Sequence, residues 1–236
     1  MTDLIGTDLK IEQTSEFSYN LDTILLANFT KNRKDYKKVL EIGCSHGPLL
    51  LYLHNKLTFI KKIIGIEINK SAFELCLSNL KLNNVDENLV KLENLDIDLY
   101  RDEKDFDLIV CNPPFFDTNK TIKVNSNENI KIKRHDETLT LETLFSCCER
   151  LIKFGGTINL IFRADRFTEL LHVAKNYKFE ATLIRFIHTY KNKEAQSFLI
   201  SLGYKRNANA IIMPPLFLYD DKNKISSELA SIYEEN

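Results

Sequence analysis

Residues 38–53 read KVLEIGCSHGPLLLYL, an apolar strand followed by a small-residue turn and the start of a helix. The segment Lys38–Ile42 has the short, nearly continuous apolar pattern of a buried strand. Gly43 and Gly47 bracket the turn, where small residues let a ligand approach the backbone closely. Pro48 suits a first helical position because its missing N–H would be unpaired there. This order predicts the first strand–turn–helix unit of a doubly wound α/β fold.

Strands and helices alternate along the rest of the chain. Further strands are predicted over Ile63–Glu67, Val90–Glu93, Phe106–Cys111, Thr157–Phe162, Thr182–His188 and Gln196–Leu202, and helices from Asn69 and over Leu139–Lys153 and Asp165–Asn176. Gly155 and Gly156 are expected to end the second of these helices in a left-handed turn. A short turn joins the last two strands, which predicts antiparallel pairing. We therefore predict one domain with a seven-stranded, mostly parallel sheet, an antiparallel last strand and helices on both faces.

The composition is that of an ordinary globular protein. Among 236 residues, 44% are hydrophobic and 28% are charged, with a formal net charge of −1. The N-terminus lacks a signal-peptide pattern, and no apolar run reaches the length of a membrane span. Five cysteines without a CxxC pair argue against a disulfide framework or a zinc site. These features predict a cytoplasmic location, with neither a membrane nor a metal as partner.

A carboxylate at the end of the second strand suggests a nucleoside ligand. Glu67 lies about 20 residues after Gly47, the spacing at which an acid holds both ribose hydroxyls. A glycine-rich turn alone is weak evidence for such a ligand. The turn together with an acid at this spacing is more specific. The two features suit a dinucleotide or S-adenosylmethionine.

The tetrapeptide after the fourth predicted strand reads Asn112-Pro113-Pro114-Phe115. The side-chain oxygen of Asn112 and the carbonyl of Pro113 are two acceptors for the hydrogens of a planar amine. Holding both N–H groups aims a poorly nucleophilic lone pair, and Phe115 offers a face on which a base stacks. A hydride-transfer enzyme has no use for such an element. The motif therefore favours a methyl donor over a dinucleotide.

Two basic regions are candidates for contact with nucleic acid. Residues 117–136 form a polar segment without strong periodicity that includes Lys131, Lys133 and Arg134, followed closely in sequence by the predicted helix. Together with this segment, a second set of basic residues could form a phosphate-binding rim: Lys31, Arg33, Lys34, Lys37, Lys38, Lys61 and Lys62. Any single lysine is more often a solvated charge. The segment beside the tetrapeptide is the better candidate.

The chain resembles the class I S-adenosylmethionine-dependent methyltransferases with an Asn-Pro-Pro-aromatic motif. It most resembles the tRNA (adenine-N6)-methyltransferases that modify the adenosine beside the anticodon of a valine tRNA. The resemblance rests on residues 17–26 (FSYNLDTILL), Glu41-Ile42-Gly43 with Gly47, Glu67, Asp96-Ile97, Asn112 to Phe115, Arg134-His135 and residues 215–220 (PLFLYD). It covers nearly the whole chain.

The resemblance implies a Rossmann-like methyltransferase fold, S-adenosyl-L-methionine as cofactor and a tRNA as partner. Within the single domain 1–236, it implies that residues 1–36 close over the cofactor and that residues 117–136 form a substrate loop. The implied cofactor-binding residues are Asp22, Glu41, Gly43, Ser45, Gly47, Glu67, Ile68, Asp96, Ile97 and Asn112. The implied catalytic residues are Asn112, Pro113, Pro114 and Phe115, and the implied RNA contacts are Lys131, Lys133, Arg134 and His135. A monomer or weak homo-oligomer is expected.

The turn departs from the family pattern at one position. Ser45 stands where the family has the middle of three glycines. Serine can replace glycine there if the residue keeps a negative φ, and its hydroxyl could then face the cofactor carboxylate. His46 beside it is expected to be a polar turn residue.

Other acceptors remain open, because the same motif serves any planar amine or amide. The alternatives are guanine-N2 methylation of ribosomal RNA, N5 methylation of a protein glutamine, and a catalytically inactive RNA-binding protein. Only about 35 residues precede the first predicted strand, too few for a separate helical recognition domain. That count disfavours the protein substrate.

Overall fold

The computed structural model describes residues 1–102, 104–113, 139–207, 209–220 and 222–234. The strands in these ranges are β1 Thr2–Asp3, β2 Lys10–Ile11, β3 Lys38–Ile42, β4 Lys62–Ile66, β5 Val90–Glu93, β6 Phe106–Cys111, β7 Ile152–Arg163, β8 Phe179–His188, β9 Ala195–Tyr204, β10 Ile211–Ile212 and β11 Leu216–Phe217. The helices are α1 Leu21–Phe29, α2 Pro48–Lys56, α3 Lys70–Leu82, α4 Leu141–Leu151, α5 Phe167–Asn176 and α6 Ser227–Glu234, with a 3-10 turn at Ala164–Arg166.

One sheet organises the fold. Its strand order is β10-β8-β9-β7-β6-β3-β4-β5, and β11 also pairs with β8. Strand β9 runs antiparallel to both β7 and β8, whereas the remaining pairs are parallel. The predicted Rossmann-like α/β fold with an antiparallel last strand is confirmed. The seven predicted strands are its long members, and the two-residue β10 and β11 extend its edge. Strands β1 and β2 pair separately.

Helices cover both faces of the sheet, as the near-continuous apolar strands require. In β6, Leu108 and Val110 pack into one core with residues of α1, α2, α3 and α6. Ile109 and Cys111 face the other way and pack with residues of α4 and α5. None of the described helices has the length and apolarity needed to cross a bilayer.

Three predicted strands match the structure to the residue, and other boundaries shift. Strand β4 begins and ends one residue before its predicted bounds, β7, β8 and β9 are longer than predicted, and a 3-10 turn precedes α5. Asn69 caps α3 by accepting the Ala72 N–H at 3.1 Å. Pro48 occupies the first turn of α2, as predicted.

The predicted end of helix α4 is wrong. The helix stops at Leu151, because Ile152 is extended and already pairs with Phe106 in the sheet. Gly155 and Gly156 therefore lie inside β7. The register jumps from the Phe106–Ile152 pair to the Leu108–Thr157 pair, and Gly155, at a φ of +73°, lies in that irregularity. The two glycines therefore lie in a bulge of β7 and do not end a helix.

A buried carboxylate fixes the amino end of the central strands. The Oδ2 of Asp107, in β6, accepts the backbone N–H groups of Lys37 at 2.9 Å and Lys38 at 2.7 Å. The same side chain forms an ion pair with Lys153 of β7. One carboxylate thus joins β3, β6 and β7 at the edge opposite the turn after β3.

We expect Asp107→Ala to lower the free energy of unfolding by about 2–3 kcal/mol, because two backbone donors lose a charged acceptor. Urea denaturation followed by circular dichroism measures this. The matched control is Asp105→Ala, since Asp105 is half-exposed and forms a surface ion pair with Lys38. Its cost should stay below about 1 kcal/mol. Equal effects of the two variants would contradict the role assigned to Asp107.

Candidate active site

A cavity of about 520 Å³ lies at the carboxyl ends of β3, β4 and β6. Here the chain passes from β3 outward to β4 and β5 and then crosses to β6 on the other side of β3. Such a switch point is where open α/β sheets bind ligands. Among its lining residues are Gly43, Ser45, Glu67, Ile68, Asp96, Ile97, Asn112 and Pro113. The sheet thus brings together most of the site residues expected from the sequence.

The turn after β3 has three residues in left-handed backbone conformation. The φ angles are +73° at Gly43, +49° at Ser45 and +91° at Gly47. A Cβ at Gly47 would lie 2.6 Å from the Cys76 Sγ of helix α3, so only glycine fits there. The condition under which serine replaces glycine without strain, a negative φ, is not met at Ser45. The middle position of the turn still has the conformation that favours glycine.

Glu67 holds this turn in place. Its Oε2 accepts the Ser45 N–H at 2.8 Å, and its Oε1 accepts the Asn69 N–H at 2.7 Å. The side chain is buried, and Asn94 donates to the Glu67 carbonyl at 2.8 Å. Hydrogen bonds from backbone N–H groups to a carboxylate are charge-assisted and strong. They stabilise the strained serine and join the turns after β3 and β4.

Asp96 and its neighbour lie on the same side of the cavity. The Asp96 Oδ1 accepts the Asp98 N–H at 2.9 Å, which closes a tight turn after β5. Ile97 is buried and Ile68 is partly exposed. Together with Ile42 and Ile66, these isoleucines give the cavity an apolar lining beside its carboxylates.

A second cavity of about 130 Å³ adjoins the first. The two share Ser18, Gly43, Ser45 and Asn112 among their lining residues. Glu41 lines the smaller cavity, and its buried Oε2 has no hydrogen-bond partner among the described residues. Burial, with the nearby negative charge of Glu67, raises the pKa of Glu41 well above its usual value. Asn112 stands at the junction of the two spaces.

His46 also lines the smaller cavity, and it is more buried than a polar turn residue is expected to be. Only 1% of its surface is exposed. Its Nδ1 lies 3.3 Å from the Ser45 Oγ, and its buried Nε2 contacts no hydrogen-bonding group in the described residues. Burial lowers the pKa of His46 to about 4, so the ring is neutral at pH 7.

The N-terminal segment forms a wall of both cavities. Phe17 and Ser18 line the larger one, and Tyr19, Asn20 and Thr23 line the smaller one. Asp22 lies between them in sequence but lines neither cavity. Its pKa is raised by burial at the start of α1.

Asn79 is a buried polar residue of α3 that sequence reasoning missed. Its Nδ2 donates to the carbonyls of His46 at 2.9 Å and Glu12 at 3.0 Å, and its Oδ1 accepts the Glu12 N–H at 2.7 Å. The residue therefore ties the N-terminal segment to the glycine turn. An asparagine on the same helix face as Cys76 and Leu80 was the available signal.

One part of the predicted site lies outside the described residues, and one basic set does not border the cavity. Pro114, Phe115, Lys131, Lys133, Arg134 and His135 lie outside the described residues, so their roles stay predictions. The other basic set stays a prediction as a phosphate-binding rim, but two of its members do not border this cavity, because Lys38 and Lys62 begin β3 and β4. A five-residue strand spans about 16 Å, so these lysines lie at the opposite edge of the sheet.

Within the described ranges no group of three or more His, Cys, Asp or Glu residues is placed to hold a metal ion.

Solved methyltransferases share this fold. A structure reported as a predicted O-methyltransferase of Agrobacterium tumefaciens superposes with a TM-score of 0.70 at 15% identity, covering 91% of this chain and 96% of its own. A SAM-dependent O-methyltransferase of Thermotoga maritima superposes with a TM-score of 0.56 at 15% identity, covering 84% of this chain and 69% of its own. The chain therefore has the Rossmann-like fold of these proteins, with a cavity at its switch point.

The sequence narrows the class further. The profile of the methyltransferase small domain family matches residues 19–163, and the chain belongs to that family. A curated relative from Aliivibrio salmonicida is 27% identical over 182 residues, which is 77% of this chain and 75% of the relative. That relative is named tRNA1(Val) (adenine(37)-N6)-methyltransferase.

Ser45→Gly should raise the free energy of unfolding by about 1 kcal/mol, because glycine adopts a φ of +49° without strain. The matched control is Ser71→Gly in the first turn of α3, where glycine should instead cost about 0.5 kcal/mol. Urea denaturation of both variants measures the two effects. Destabilisation by Ser45→Gly would show that the side chain contributes more than its backbone strain costs.

Asn79→Leu should lower the free energy of unfolding by about 3 kcal/mol, since it leaves buried groups of Glu12 and His46 without partners. Hydrogen exchange gives a local readout. Exchange at the Glu12 amide should speed up more than exchange at the core amide of Ile109. Equal acceleration at both amides would contradict the anchoring role and indicate general destabilisation.

Proposed function

We propose that this protein transfers a methyl group from S-adenosyl-L-methionine to the exocyclic N6 amine of an adenosine in tRNA, in the anticodon loop of a valine tRNA. The observation that carries the proposal is the position of Asn112. It lines both the large cavity and the small one at the carboxyl end of β6. Membership in the methyltransferase small domain family and the curated tRNA-modifying relatives support it.

The residues of the two cavities fit this donor. Isoleucines beside Asp96 suit an adenine ring, and Glu67 lies where a carboxylate reaches ribose hydroxyls. Glu41 in the smaller cavity is a buried acid with an unpartnered oxygen among the described residues, which suits an ammonium group. The larger volume, about 520 Å³, is in the range of small-molecule sites.

When bound, the donor supplies an electrophilic methyl group on a sulfonium. Asn112 is half-buried, and none of the described residues hydrogen-bonds to its side chain. Its side-chain oxygen and the Pro113 carbonyl accept the two N–H groups of the amine, which turns the nitrogen lone pair toward the methyl group. Correct placement of two reactants supplies a large part of the rate enhancement. No protein base is required, because the proton leaves to water after transfer.

Several observations favour an RNA adenine over the alternatives. The curated relatives named for adenine-N6 methylation of tRNA cover about three quarters or more of this chain. A single-stranded adenosine enters the pocket at the cost of unstacking alone. The basic residues of 117–136, with Lys131, Lys133, Arg134 and His135, are proposed to contact the RNA backbone, and Phe115 to stack on the base. In this proposal the ring of Pro114 limits backbone freedom between the two acceptors and Phe115.

Transfer of tritium from labelled S-adenosylmethionine to total tRNA, followed by nucleoside analysis, tests the proposed acceptor. Label is expected in N6-methyladenosine. Ribosomal RNA and total protein serve as competing acceptors in parallel reactions. Label in methylguanosine or in protein glutamine would instead support one of the alternative enzymes, and no binding of the donor would support a catalytically inactive RNA-binding protein.

Asn112→Ala should reduce methyl transfer by at least about a hundredfold, because the amine loses one of its two acceptors in the transition state. The dissociation constant for S-adenosylhomocysteine should change less than about threefold. The matched control is Asn55→Ala on the exposed side of α2, which should keep both values. Turnover near normal in Asn112→Ala would refute its role as an acceptor.

A further inference from the structure

The smaller cavity is lined by two residues with buried polar atoms that the described residues leave unpaired. Glu41 Oε2 and His46 Nε2 have no hydrogen-bond partner among the described residues, and both residues line the same 130 Å³ space. A buried polar group without a partner costs about 1–3 kcal/mol. Native structures keep such groups rarely, and each calls for an explanation. A ligand that pairs with both atoms removes the cost.

The hydrogen bond beside His46 is compatible with a neutral ring that carries its proton on Nε2. The Ser45 hydroxyl can donate to Nδ1, at 3.3 Å, whereas a protonated Nδ1 would make that hydroxyl an acceptor. With the imidazole neutral and Nδ1 accepting, Nε2 bears the hydrogen and is a donor. The smaller cavity then presents a donor from His46 and an acid from Glu41.

This pairing matches the amino-acid end of the methyl donor. That end carries one ammonium group and one carboxylate on the same carbon. The larger cavity holds Glu67 and Asp96, so the adenosine occupies that side. The reacting sulfur must lie near Asn112, which lines both spaces, and the chain beyond the sulfur then continues into the smaller cavity.

Resting on the proposed function, we propose that His46 binds the α-carboxylate of the methyl donor through Nε2–H, opposite Glu41, which binds the α-ammonium group. His46 follows the serine that departs from the glycine pattern, and its backbone is fixed by Asn79 at 2.9 Å. The turn therefore presents a side-chain donor to an anion in addition to its backbone N–H groups. His46 selects donors that retain the carboxylate.

Titration calorimetry with three ligands tests this assignment without any methyl transfer. The ligands are S-adenosylhomocysteine, its decarboxylated analogue and 5′-methylthioadenosine, which lacks the amino-acid end. His46→Phe keeps a ring of similar size and removes the donor. It should weaken S-adenosylhomocysteine roughly tenfold or more and change the other two ligands less than about twofold. His46→Gln, which keeps an N–H at a similar reach, should restore most of the affinity.

The matched control is His54→Phe in α2. His54 also has a buried ring nitrogen without a partner in the described part of the chain, but it lines neither cavity. All three affinities should stay as in the unchanged protein. Equal weakening of all ligands by His46→Phe, or no weakening of any, overturns the assignment.

The result also separates this inference from the proposed function. If S-adenosylhomocysteine binds with the expected dependence on His46 but tRNA accepts no methyl group, the proposed acceptor fails and the carboxylate contact stands. If the unchanged protein binds none of the three ligands, both fail.

Discussion

The hydrogen bonds of the Glu67 carboxylate are the constraint on which the site depends. Its two oxygens accept one backbone N–H from the turn after β3 and one from the turn after β4. The contact with Ser45 stabilises a left-handed serine between two left-handed glycines. The same buried side chain lines the larger cavity, at the distance along the chain where a ribose-binding acid is expected. One group thus shapes the turn and faces the ligand space.

The two edges of the sheet have separate roles. Asp107 joins the central strands at their amino ends, where the basic residues around Lys38 also lie. The carboxyl ends carry the glycine turn, Glu67 and Asn112 around two adjoining cavities. Asn79 connects that edge to the N-terminal segment. In the proposed mechanism, a donor that spans both cavities would have its sulfur beside Asn112, where a planar amine would be aligned.

Local pattern was sufficient to predict the sheet and most of the cavity lining. Lys38–Ile42, Val90–Glu93 and Phe106–Cys111 are apolar runs with clear limits, and the structure reproduces their bounds. The predicted helix end at Gly155 was wrong because glycine occurs in strand bulges as well as at the ends of helices. The left-handed Ser45 is held by a hydrogen bond to the distant Glu67, and the burial of His46 depends on the segments packed around its turn. Such tertiary contacts are not visible in local sequence.

A crystal structure of the complex with S-adenosylhomocysteine tests the central claim most directly. We predict that the ribose hydroxyls lie within hydrogen-bonding distance of the Glu67 carboxylate, with the sulfur beside Asn112 and the amino-acid end in the smaller cavity. A ligand bound away from the carboxyl ends of β3, β4 and β6, or one whose sulfur is remote from Asn112, would contradict it.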